Sequence, residues 1–62
     1  MTTTLRKPEE ISSTLGIPVA TLAQWRWRGI GPAYCRVGRH IRYRQDDIDA
    51  WLSANRHGGD AA

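Results

Sequence analysis

The 62-residue sequence predicts a mainly α-helical domain carrying a small β-hairpin. Three observations predict it. One short amphipathic segment ends at Gly16 and the next opens at Pro18, so the two helices must cross steeply. Two β-like runs follow, Ala33–Val37 and His40–Arg44, with a glycine between them. A last apolar stripe opens behind Asp46 and Asp47. Helix, tight turn, helix, hairpin, helix is the layout of a winged helix-turn-helix. The length suits one domain, expected over residues 5–56, with a flexible arm at 1–4 and a flexible tail at 57–62.

The first helix is expected to start at Pro8, whose fixed φ suits the first turn, with Glu9 and Glu10 complementing the helix dipole. Ile11 and Leu15 form its apolar stripe, and Gly16 stops it. The second helix is expected from Pro18 to Arg28, ending at Gly29. At 100° per residue, Pro18, Leu22, Trp25 and Gly29 share the core face, and Ala20, Ala23, Gln24 and Trp27 share the opposite one. Thr21 and Arg28 lie on one flank, Val19 and Arg26 on the other.

In the hairpin, alternation pairs Cys35 and Val37 on one face with Ile41 and Tyr43. That register requires Val37 opposite Ile41 and a three-residue loop, Gly38-Arg39-His40. Tyr34, Arg36, Arg42 and Arg44 then point outward. Asp46 is expected to cap the last helix, with Asp49 answering it as a short capping box. Ile48, Trp51 and Leu52 form its core stripe, and Trp25 and Trp51 are expected in the core.

No acidic residue stands between Ile11 and Gln45, while Arg26, Arg28, Arg36, Arg39, Arg42 and Arg44 fall within that stretch. The net charge is +3. Such a one-signed run asks for an external anion. The planar arginine fork suits phosphates and guanine edges, which makes double-stranded DNA the expected partner. A solvated basic surface is the plain alternative.

The second helix offers Ala20, Thr21, Ala23, Gln24 and Trp27 to a major groove. Gln24 can pair with an adenine edge, and an alanine methyl can meet a thymine methyl. Arg26, Arg28, Arg36, Arg42 and Arg44 are placed for the DNA backbone, and Gly38, Arg39 and His40 form the wing tip. Trp27 faces away from Trp25, so three further places stay open for it: the hairpin base, the DNA backbone, or a protein neighbour.

Catalysis is not expected. Ser12 and Ser13 have no histidine near them in sequence. Cys35, His40 and His57 lack zinc spacing, so no metal or other cofactor is expected. A single cysteine fits a reducing cytoplasm, and no signal peptide or membrane-length apolar run is visible.

Further strings carry a resemblance. Leu15-Gly16-Ile17-Pro18, Thr21 to Arg26, Gly31-Pro32, Val37-Gly38-Arg39, Ile41 to Arg44 and Asp47 to Leu52 together resemble the excisionase-type proteins of the MerR-related winged-helix group. The resemblance implies a DNA-binding recombination directionality factor of a phage or integrated element, acting in the bacterial nucleoid. It implies an integrase as partner and copies side by side on DNA. A small transcriptional regulator of the same fold, or a module binding an integrase or repressor, is the alternative. By position, Ala20 and Gln24 fall at the family's groove-reading sites and Gly38-Arg39 at its wing tip. Pro18 replaces a frequent serine cap, and Ala20 replaces a longer polar reader, which shifts specificity toward shape readout.

Overall fold

A computed structural model of the chain describes residues 3–58. Its elements run β1 (Leu5–Arg6), α1 (Pro8–Leu15), α2 (Val19–Arg28), β2 (Cys35–Val37), β3 (His40–Arg44) and α3 (Gln45–Ala54). The strands form one antiparallel sheet in the order β1-β3-β2. The architecture is a mainly helical winged helix-turn-helix, as the layout predicts.

Helix α1 begins where Pro8 permits, and the Glu10 carboxylate accepts the Lys7 backbone N–H at 2.7 Å. Its end is set by Gly16 at φ 68°, whose N–H reaches the Ser12 carbonyl at 2.8 Å. An L-residue at that φ would crowd its own Cβ, so glycine makes the sharp turn into α2 possible. Pro18 is the residue before α2 rather than its first turn, and it is exposed.

The core takes one residue from each packed element. Ile11 of α1, Leu22 of α2, Tyr43 of β3 and Ile48 of α3 are fully buried. Leu15, Ile17, Trp25 and Ile41 pack around them. Each such aliphatic side chain contributes roughly 1.5–3 kcal/mol by leaving water. Trp25 and Trp51 are half-buried and lie against each other, ring centroids 5.7 Å apart, tying α2 to α3. Leu52, expected in the core stripe, is 42% exposed, because Ile48 and Trp51 fill the contact.

Three further expectations are corrected. The wing loop has two residues, Gly38 and Arg39, since Val37 pairs with His40. Gly38 takes φ 62° and Arg39 stays at negative φ, the pattern of a turn with glycine at its first central position. The register turns Cys35 and Val37 to the face of Arg42 and His40, away from Ile41 and Tyr43. Val37 is 48% exposed. Arg36, opposite Ile41, takes the other face, and Tyr34 follows it. Tyr34 stays 38% exposed on the edge of that face, its ring 6.3 Å from that of Tyr43, centroid to centroid.

Second, α3 starts at Gln45, one residue before the expected cap, and no side chain caps it from Arg44. The orphan N–H groups go elsewhere. Gln45 N–H donates to the Thr4 carbonyl at 2.8 Å, and Asp46 N–H to Thr3 Oγ1 at 3.3 Å. Asp49 accepts from Gln45 Nε2 at 2.9 Å instead of closing a capping box.

Third, the segment before α1 is a strand. Leu5 and Arg6 pair with Arg44 and Tyr43. Thr3 and Thr4, expected in a flexible arm, thereby become the cap of α3. Residues 1–2 of that arm and 59–62 of the expected tail lie outside the described residues; His57 and Gly58 are exposed.

The loop leaving α2 is packed at its end. Pro32 is buried, and Gly31 sits at φ 83° against Trp25. A Cβ at Gly31 would come within 2.7 Å of the Trp25 ring. Gly31→Ala is therefore expected to cost about 2 kcal/mol, from left-handed strain plus the displaced ring. Gly38→Ala meets no atom within 4 Å, so it should lose only the smaller conformational part. Urea unfolding of the two variants checks the ranking.

Candidate nucleic-acid interface

Helix α2 presents its outer face as the sequence places it. Ala20, Ala23 and Gln24 are exposed, and Trp27 is 89% exposed. Thr21 is half-buried on the flank. Leu22 and Trp25 turn the helix so that this face is opposite the core. The mutual rotation of the two tryptophans thus fixes which residues can enter a groove.

The wing lies at one end of β3. Gly38, Arg39 and His40 are exposed there, with His40 opening the strand rather than sitting in the loop. Arg36 and Arg44 are exposed. Arg42 is half-buried and spends one Nη1 donor on the Ile41 carbonyl at 2.7 Å, leaving the rest of its fork. At the other end of β3 stand the first-turn carboxylates of α3, Asp46 and Asp47. The wing end is purely basic, whereas the far end is mixed, since Arg44 closes β3 there and Arg6 pairs beside it.

The ion-pair inventory sharpens this. Among the described residues the one salt bridge is Arg6–Glu10, at 3.8 Å. Arg6 also donates from Nε to Gln45 Oε1 at 2.9 Å, so it ties β1 to α3. Among those residues no carboxylate lies within 4.0 Å of any arginine from Arg26 to Arg44.

Arg26 differs from the rest. Sequence spacing sets it with the backbone-facing arginines, but it is half-buried and has an internal partner. Its Nη1 donates to Tyr43 Oη at 2.7 Å. Its guanidinium stands 5.8 Å from the Tyr34 ring centre and 6.0 Å from that of Tyr43. At these distances the ring faces attract the cation. The hydrogen bond also satisfies the hydroxyl of a fully buried tyrosine, which would otherwise cost roughly 1–3 kcal/mol. Arg26 thus braces the outer helix against β3 and the segment leading into β2. Neither Tyr34 nor Tyr43 was a predicted site residue. The available signal was Tyr43 on the inner face of its strand, with an oxygen needing a donor.

The predicted site residues come together as two blocks. One is the exposed face of α2. The other is the hairpin, where Arg42 and Arg44 share one face, Arg36 takes the face of Ile41, and Arg39 stands at the tip. Arg26 joins them from beneath. Loss of the tip should therefore spare the fold. Arg39→Ala is expected to weaken duplex binding by about 1–3 kcal/mol, with an unchanged melting temperature. Anisotropy titration and a thermal melt together check it.

In comparison with known proteins, residues 7–56 match the profile of a family described as a helix-turn-helix domain. A comparison with curated protein sequences finds no match.

Proposed function

The chain belongs to the helix-turn-helix domain family, and from that premise we propose that it is an excisionase-type directionality factor for site-specific recombination. Binding double-stranded DNA follows from the family and the fold. The observation that carries the reading further is the row of arginines without carboxylate partners, Arg28, Arg36, Arg39, Arg42 and Arg44, beside an exposed helix face. Such a surface grips the backbone at two places, α2 and wing, and so holds DNA in one shape. A protein of this kind acts by occupying and bending DNA, without chemistry of its own.

Copies side by side on repeated sites would add affinity through proximity and sum their bends. A phage or element integrase is the fitting partner. The resemblance of residues 5–56 to excisionase-type proteins supports this choice. The test is recombination of attachment-site DNA by the element's integrase, with and without the protein. Excision should rise and integration fall when it is added. Duplex binding with no change in either direction would leave a transcriptional regulator. Binding to the recombinase but to no duplex would leave an interaction module.

A further inference from the structure

The outward face of α2 is unusual for a surface in a basic protein, because it bears no charge. Ala20, Ala23, Gln24 and Trp27 project within about 100° of one another, and all four are exposed. Only Gln24 has a side chain with both donor and acceptor. Trp27, at 89% exposure, shows nearly its whole indole to water. The arginines that could grip phosphate flank this face instead of lying on it.

An apolar face aimed into a major groove has few partners there. Guanine offers N7 and O6, and cytosine its N4 amine; all are polar. Covering them with alanine methyls and the carbon face of an indole would strip their water and return at most the one indole N–H. Thymine alone offers a methyl group, and the adenine paired with it offers the N6/N7 pattern that a glutamine amide matches. From Ala20 to Trp27 the helix rises about 10 Å, which corresponds to about three base-pair steps.

Resting on the DNA-binding reading above, we propose that α2 selects a short run of A·T pairs through their thymine methyls. Trp27 and Ala23 cover the methyls, and Gln24 reads a neighbouring adenine. Trp27 is then a specificity-determining residue rather than a surface accident. The commitment to DNA as occupant rests on charge, since the flanking arginines have no carboxylate within salt-bridge distance among the described residues.

Uracil differs from thymine only by the absent methyl, which makes the test direct. The preferred duplex is first selected from a randomised pool with the full chain. Thymines in the helix window are then replaced singly by deoxyuridine. Each covered methyl should be worth about fourfold in affinity. In Trp27→Ala the uracil penalty should vanish at one position or more, while its melting temperature and salt dependence stay as in the parent. Selected sites without A·T pairs in the window, or equal binding of thymine and uracil duplexes, would overturn the methyl reading and leave DNA binding intact. A full uracil penalty in Trp27→Ala would overturn the role of Trp27. If no duplex binds at all, the DNA-binding reading fails with it.

Discussion

Trp25→Ala is expected to lower unfolding stability by about 3 kcal/mol, whereas Trp27→Ala stays within about 0.5 kcal/mol of the parent. The two residues stand two positions apart on one helix, and the helix rotation sends them to opposite faces. Trp25 stacks on Trp51 and receives Gly31 against its ring. Its carbonyl also accepts the Ile30 N–H at 2.9 Å, so the loop leaving α2 folds back over it. Truncation would open a gap between α2 and α3 that the rigid Gly31-Pro32 segment cannot fill. The value is set at the low end for a tryptophan because the ring is half-buried. In a chain of this size it is still a large share of a total of about 5 kcal/mol. Trp27 has no such packing to lose. Thermal and urea unfolding of both variants decide the matter. The reverse ranking would mean that α2 is rotated, and Gln24 would leave the outer face with it.

The helices were legible because their signals are local. Pro8, Gly16 and Gly29 mark ends, and the pairs Ile11 and Leu15, Leu22 and Trp25, and Ile48 and Trp51 fall at helical spacing. The sheet was legible only in part. Leu5-Arg6 is too short to show alternation, and it becomes a strand only because Arg44 and Tyr43 offer a free edge. The capping of α3 was hidden for the same reason. Asp46 has the chemistry of a cap, but Thr3 and Thr4, more than forty residues earlier in the chain, arrive on that strand and take the N–H groups. Hairpin register depended on which residue would be buried. Valine and cysteine are the apolar choice, yet they turn away from Ile41 and Tyr43, and the Tyr43 side takes the half-exposed Tyr34, whose ring meets a cation from α2. Composition marks both the arginine and the tyrosines, but not their meeting. The exposed face of α2 and the wing tip, by contrast, followed from periodicity and one glycine.

That meeting decides the second large effect, the salt dependence of binding. Duplex affinity is expected to fall with log salt at a slope of about −3.6 to −4.5, from four or five neutralised phosphates. Raising salt from 50 to 200 mM should then cost about 150- to 500-fold in affinity. The counted groups are Arg28, Arg36, Arg39 and Arg44, all exposed, and the free part of the Arg42 fork. Arg26 is left out because its guanidinium is held by Tyr43 Oη and two aromatic rings. Two variants separate these roles. Arg39→Ala should reduce the steepness by about 0.9, since one phosphate neighbour is gone. Arg26→Gln should leave the slope unchanged but lower the melting temperature and the affinity at every salt concentration, because the wing loses its brace against α2. Tyr43→Phe should do the same more weakly, since it removes the hydrogen bond and keeps the ring. A flat salt profile for the parent would remove phosphate contact from the wing altogether. A slope that shrinks in Arg26→Gln would return that arginine to the DNA backbone, where its place in the basic run first put it.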